Sequence, residues 1–290
     1  MNNYVLEIKD MHFRFKRRLI LDHLTLRIEP GTIYGLVGPS GSGKSTLCKI
    51  LGDELTYQGG EVWINGRRDT YRHHNQVGVN TLSFQDGLYH AMMRKAKLMG
   101  LAKPKEHVVG LLALLELEPY AHLKPAKVSD GLKAMFGIAM AMAGNPDLIV
   151  LDEPMIKLDA HYRDVVIKAI QTLKGSGQSF LLTSPTGDDL AMVGDVFGIL
   201  NQGHIVYEIS GADLRRKLSN KITFRVDNED EVVALFPNVT INDHWITYEG
   251  EGDPLSILGD QVKVYEFMYE KETFSHYFMA YFGGENDDQA

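Results

Sequence analysis

The sequence predicts an α/β fold: a parallel sheet covered by helices, with an antiparallel β subdomain, a helical insertion and a small C-terminal α/β domain. Three observations carry this expectation. The β-branched apolar run Thr32 to Val37 leads into GPSGSGKST, Gly38 to Thr46, and then into a helix-like segment, Leu47 to Leu51. Leu148 to Leu151, Phe180 to Thr183 and Phe197 to Leu200 are short apolar runs separated by helical stretches, as strands buried on both faces should be. Beyond Gly211 the chain turns to alternating strands and an aromatic helix.

Taken in order, Val5 to Ile8 and Leu24 to Ile28 alternate apolar with polar residues, and Glu29-Pro30-Gly31 supplies a turn, so the start reads as a small antiparallel sheet. Residues 59–66 read as turn, strand and turn, and Val77 to Phe84 as a further strand. Leu88 to Leu117 is rich in Leu, Met, Ala, Lys and Glu, with breaks at Pro104 and Pro119, which predicts a compact helical insertion over about residues 86–135. Its Met92, Met93 and Met99 suit a core better than a binding face. The core domain is expected to span residues 1–210 and the small domain 211–290. In the latter, Lys221 to Val226, Val239 to Tyr248 and Gln261 to Met268 read as strands and Lys271 to Phe282 as a closing helix. The aromatics of that helix, Phe274, Tyr277, Phe278, Tyr281 and Phe282, recur at helical spacing, which fits packing onto the domain's own sheet better than a dimer contact.

Composition narrows the function. The 290 residues, 44% hydrophobic, can bury one large core and a small second one. A single cysteine, Cys48, forms neither an internal disulfide nor a thiolate metal cluster, which suits a reducing, cytoplasmic setting. No apolar run reaches the roughly 18 residues of a membrane span, so a membrane role calls for a partner. The net charge of -8 argues against a nucleic-acid face.

The chemistry is written in two places. In GPSGSGKST the glycines Gly38, Gly41 and Gly43 let the backbone curl, with Pro39, Ser40 and Ser42 between them, so that N–H groups face phosphate oxygens at the N-terminus of the next helix. Lys44 is placed to reach the β- and γ-phosphates, and Ser45, followed by Thr46, to bind Mg²⁺. Strand, loop, Lys-Ser and helix together imply binding of a nucleoside triphosphate. More than a hundred residues on, the strand Leu148 to Leu151 ends in Asp152-Glu153, at the carboxyl edge where such folds bind ligands. Asp152 is the candidate for holding Mg²⁺ and Glu153 for orienting or deprotonating an attacking water.

With these motifs in this order, residues 5–210 resemble the ATP-binding subunit of an ATP-binding cassette (ABC) transporter. The resemblance implies ATP and Mg²⁺ as ligands and a dimer, of like or unlike subunits, that closes on two nucleotides. It implies separate integral membrane subunits and a place on the cytoplasmic face of the membrane. It places Phe15, or failing that Phe13, against adenine, and Gln85 at the position that contacts Mg²⁺ and water and senses the membrane subunit. Val128-Ser129-Asp130-Gly131-Leu132 stands at the signature position, where Ser129 and Gly131 meet the γ-phosphate held by the opposite subunit, and Leu158-Asp159 ends the D-loop. The C-terminal extension resembles the small domain of subunits serving exporters of peptides, drugs or lipids.

The chain also departs from the pattern. Asp130 replaces a glycine at a helix start, where its carboxylate meets the positive dipole end and repels phosphate, and Leu132 removes a polar side chain. Pro185 stands where the family has a switch histidine, counting back from Asp195, and Ile156-Lys157 replaces a small polar pair. Thr183, Ser184 and Thr186 are the neighbouring hydroxyls that could substitute, while His204 reads as a turn residue. Two functions are compatible with this: an exporter ATPase with slow hydrolysis, or a degenerate, regulatory subunit that dimerises on ATP with little hydrolysis of its own.

Overall fold

The computed structural model describes residues 4–68, 77–80, 84–191, 193–217, 220–236, 239–250, 258, 262–271, 274–275 and 278. The chain divides into two units, Met1–Gly211 and Ala212–Ala290. No helix among the described residues is long and apolar enough to cross a membrane.

The first unit opens with β1 (Leu6–Phe15) and β2 (Arg18–Ile28), an antiparallel pair. Both run further than alternation showed, because register shifts at Ile8/Met11, Met11/Phe13 and Phe13/Arg14 break the period of two. Then come β3 (Ile33–Val37), α1 (Lys44–Leu51), β4 (Gly59–Ile64), β5 (Arg67–Arg68) and β6 (Val77–Val79). The strand expected over Val77 to Phe84 ends at Val79; Asn80 has left it, and residues 81–83 lie outside the described set. The insertion holds α2 (Leu88–Leu98) and α3 (Pro104–Leu114), with Pro104 at the first turn of α3, where a missing N–H costs nothing. Met92 is fully buried.

The parallel core comes next as α4 (Asp130–Met142), β7 (Leu148–Leu151), α5 (Ala160–Gly175), β8 (Ser179–Ser184), β9 (Val196–Asn201) and β10 (His204–Ser210). One sheet has the order β2-β1-β4-β5 and the other β10-β9-β3-β8-β7-β6. In the second, β3 pairs in parallel with β8 and β9, and β7 with β6 and β8, while β10 returns antiparallel. The β9–β10 turn has Gln202 and Gly203 at φ 47° and 87°, a two-residue hairpin. His204 therefore begins a strand, paired with Asn201, and is not the turn residue itself. β3, β7 and β8 are buried along their whole length, which explains why they read as unbroken apolar runs.

The core lies between the two sheets. Leu6, Ile8, Leu24 and Leu26 of the antiparallel sheet, Leu47 and Cys48 of α1, and Leu36, Val150 and Leu181 of the parallel sheet belong to one buried cluster. α1 is thus clamped from both sides, and the loop before it inherits that fixed position.

After α6 (Gly211–Lys217), whose first residue ends the first unit, the second unit contains β11 (Asn220–Val226), α7 (Glu229–Leu235), β12 (Thr240–Asn242), β13 (Trp245–Gly250) and β14 (Val264–Lys271). Its antiparallel sheet has the order β12-β13-β11-β14. The single strand expected over Val239 to Tyr248 is a hairpin, because Asp243 and His244 both adopt positive φ, 49° and 64°, and reverse the chain. The strand expected from Gln261 runs later, and Lys271 closes it instead of opening a helix. Phe274, Ser275 and Phe278 are helical; Phe274 and Phe278 are buried with ring centroids 4.3 Å apart. Tyr277, Tyr281 and Phe282 lie outside the described residues. Phe224, Val232, Phe236 and Ile246 give this unit its own small core.

Phe180, fully buried in β8 between β3 and β7, is the test of the larger core. Phe180→Ala is expected to destabilise it by about 3–5 kcal/mol, read from the urea midpoint of the cassette's unfolding transition.

Candidate nucleotide-binding site

The loop Gly38 to Gly43 joins β3 to α1, and its shape is set by glycine geometry at two points. Gly43, the residue before α1, has φ 115°, and a Cβ there would lie 2.8 Å from Leu21 Cδ2. Gly38 has no room at all, since a Cβ would sit 2.2 Å from the Leu200 carbonyl oxygen. Ser42 N–H donates to the Pro39 carbonyl and Gly203 N–H to that of Ser42, so the loop is tied both to itself and to the β9–β10 turn.

Within this curl Lys44 is 3% exposed, and its ammonium donates to the carbonyls of Gly38 at 2.6 Å and Pro39 at 3.2 Å. Burial lowers its pKa, opposed by the negative charges of Glu153 and Asp152. The loop is thus a positive centre folded back on its own backbone. Among the described residues Ser42 Oγ is buried without a hydrogen-bond partner, a hydroxyl left to pair with a ligand oxygen. Ser45 is exposed at the first turn of α1 and Thr46 half-buried behind it, while Pro39, Ser40 and Gly41 form the exposed rim.

The acids arrive from the adjoining strands. β7 ends at Leu151, opposite Leu182 of β8, so Asp152 comes beside Thr183. Thr183 Oγ1 donates to Asp152 Oδ1 at 2.7 Å and accepts from the Glu153 N–H at 2.9 Å. Asn80 closes the other side: its amide donates to the Asp152 carbonyl at 3.1 Å and accepts from the Asp152 N–H at 2.9 Å. Glu153 sits at φ 46° before Pro154, a left-handed conformation that costs a non-glycine residue energy and is held by these bonds. On the other flank, Gly38 N–H donates to the Ser184 carbonyl, so β8 touches the loop and the acids together. Asn80 is not marked by the sequence, and Thr183, expected only as a hydroxyl that could substitute beside Pro185, serves the two acids instead.

A cavity of about 490 Å³ is lined by Cys48, Asn80, Asp152 and Glu153 and also by Asp130 and Lys133 of α4. Cys48, the single cysteine, is buried there, and burial raises its thiol pKa further from ionisation.

Residues 21–156 match the model of the ABC transporter family. The fold agrees: a solved structure described as the ATP binding subunit of an ABC transporter superposes with a TM-score of 0.65 at 25% identity, over 73% of this chain and 92% of that one. The chain carries an ABC transporter ATP-binding domain. Among curated relatives, the spermidine/putrescine import ATP-binding protein PotA of Borreliella afzelii is 29% identical, over 71% of this chain and 62% of its own length. The linearmycin resistance ATP-binding protein LnrL of Bacillus subtilis is 23% identical over 82% of this chain and 81% of its own.

The ABC domain places its remaining motif residues unequally. Phe15 is 49% exposed at the end of β1 with Phe13 at 4%, their rings edge to face at 4.8 Å, so only Phe15 offers a face to a base. Gln85 is exposed and lines a neighbouring cavity of about 510 Å³ with Phe84, Asp86 and Arg94, apart from the one shared by Asp152 and Glu153. Ser129 caps α4, its Oγ accepting from the Leu132 N–H at 3.3 Å. Gly131 stands under the D-loop, where a Cβ would come 3.1 Å from the Lys157 carbonyl oxygen. Asp159 caps α5 through the Tyr162 N–H. Asp195 does structural work, accepting from the Ile33 N–H and from Lys174 Nζ.

Two expectations change in detail. Asp130 is not a bare charge: Lys133 Nζ bonds it at 2.8 Å, and that hydrogen bond and charge, helped by Lys157, hold its pKa below the usual carboxylate value. Thr183 and Ser184 do not stand in beside Pro185. The Thr183 hydroxyl serves Asp152 and Glu153, and the Ser184 hydroxyl donates to Asp189 at 2.6 Å while accepting from the Gly187 N–H.

Replacing Thr183 by Val leaves the Asp152 carboxylate and the Glu153 N–H each short of a partner. A stability loss of about 1–3 kcal/mol is expected, with ATP turnover lowered on the order of tenfold as the two acids lose their fixed orientation. Thermal melting and steady-state ATPase assays on the same preparation check both.

Proposed function

We propose that the chain is the ATP-binding subunit of an ABC exporter, binding Mg-ATP and hydrolysing it slowly at a subunit interface to drive separate membrane subunits. One observation carries the reading: the buried Lys44 ammonium, held at the loop carbonyls of Gly38 and Pro39, shares its surroundings with Asp152 and Glu153. The N–H groups of the loop and Lys44 would bind the triphosphate, with Phe15 against the base. Ser45 and Asp152 would hold Mg²⁺, joined by Gln85 once nucleotide draws its segment inward. The ion, when bound, neutralises charge on the phosphate oxygens. Glu153 is the group positioned to orient or deprotonate water, because its backbone is fixed by Thr183.

Hydrolysis is slow in this proposal because Pro185, half-buried directly after β8, has no side-chain donor and its two preceding hydroxyls are engaged. The C-terminal unit is read as the small domain of exporter subunits, and LnrL, named for linearmycin resistance, is matched over more of its length, 81%, than the import protein PotA, 62%. A second reading rests on the same Pro185 and on Asp130: a degenerate subunit that binds ATP, dimerises and leaves hydrolysis to a partner.

Steady-state Mg-ATP turnover by the purified chain separates them. Turnover abolished by Lys44→Ala is the expected result for an exporter ATPase, and Pro185→His should raise it by roughly 10²-fold, the scale of one transition-state contact. Tight ATP binding with no turnover in either the wild type or the histidine variant favours the degenerate subunit. Absence of ATP binding removes both.

Asp130→Gly is expected to tighten ATP-dependent dimerisation by roughly two- to fivefold, the range of a single charge at a helix N-terminus. Pairing with Lys133 keeps the effect that small. Sedimentation velocity with and without ATP measures it, and weaker association in the variant would show that the carboxylate supports closure.

A further inference from the structure

The antiparallel sheet carries a side-chain cluster that the nucleotide chemistry leaves unused. Asp10 and His12 are two residues apart on β1, in a stretch where its pairing with both neighbours is irregular. Register shifts between Ile8 and Met11 and between Met11 and Phe13 put extra residues into both strands, and at those shifts Asp10 and His23 adopt φ 55° and 50°. Bulges of this kind re-aim side chains. Here they gather donor atoms of Asp10, His12 and His23 so that all three lie within 4.8 Å of one another. The His12 and His23 rings meet edge-on with centroids 5.0 Å apart, and His23 Nδ1 is hydrogen-bonded to Asp10 Oδ1.

One feature besides this convergence points to a ligand. Among the described residues His12 Nδ1 is buried without a hydrogen-bond partner, a state that is costly if nothing satisfies it. The His12 ring is also seated against the sheet, since a Cβ on Gly59 would come 2.4 Å from it, which fixes the imidazole in place. Behind His23, its Nε2 lies 3.8 Å from the Asp22 carboxylate, which adds negative charge beside the ring without a hydrogen bond to it.

We propose that Asp10, His12 and His23 form a surface site for one divalent transition-metal ion of the zinc class, separate from the nucleotide's Mg²⁺. Two imidazole nitrogens and one carboxylate oxygen suit such an ion, with water as the fourth ligand, whereas Mg²⁺ prefers oxygen donors alone. Binding breaks the His23–Asp10 hydrogen bond: any proton on His23 Nδ1 leaves to solvent, and the nitrogen lone pair and the carboxylate oxygen both turn to the metal.

Calorimetric titration of the full chain with zinc chloride, without nucleotide, tests the proposal. His23 is 70% exposed, so His23→Ala leaves the fold intact, and His204→Ala removes an exposed histidine outside the cluster as a control. One zinc ion per chain is expected for the wild type and for His204→Ala, with affinity lowered about tenfold or more in His23→Ala and His12→Ala. Magnesium chloride at the same concentration should neither bind there nor compete. No stoichiometric zinc binding by the wild type, or undiminished binding by His23→Ala, overturns the site.

Discussion

The register of three neighbouring parallel strands, β3, β8 and β7, is the constraint on which the rest of the site depends. Val37 lies opposite Ser184, and Leu182 opposite Leu151. β3 and β8 therefore end level and β7 stops two residues earlier, and the segments that leave them emerge at one edge of the sheet. The phosphate loop leaves β3, the Pro185 segment leaves β8, and Asp152-Glu153 leaves β7. Because a parallel sheet buried on both faces admits no slippage without exposing its apolar side chains, this alignment is as firm as the core itself.

Hydrogen bonds convert the alignment into a site. Ser184 holds the loop by its carbonyl, and Thr183 holds both acids by its hydroxyl, so two adjacent residues of β8 link the cation-bearing and anion-bearing halves. Lys44 is buried in the middle, where its charge is stabilised by two carbonyls and two nearby carboxylates despite the cost of desolvation. The same economy explains why Pro185 matters. Each hydroxyl that precedes it already satisfies a buried partner, and withdrawing one to replace a missing donor would orphan that partner.

Legibility differed between the two units for a physical reason. In the first, strands buried on both faces leave continuous apolar runs, and Leu148 to Leu151 or Phe180 to Thr183 could be read almost to the residue. In the second, a reversal at Asp243-His244 carries no glycine to announce it, so a hairpin reads as one strand. Bulges hid the length of β1 and β2 in the same way, by breaking the alternation on which recognition rests.

The sequence by itself determined the α/β class, the ABC likeness and the identities of Lys44, Ser45, Asp152, Glu153, Asp130 and Pro185, because loop chemistry and strand burial are local properties of the chain. Tertiary structure alone decided what surrounds them. Asn80, just past β6, and Thr183 of β8 fasten Asp152 from 72 and 31 residues away in sequence. Gly59 and the paired bulges bring His12 and His23 together, and Phe13 is committed to the core while Phe15 is left at the surface. These are long-range pairings, fixed only when strands align, and no local pattern encodes which partner each polar atom will find.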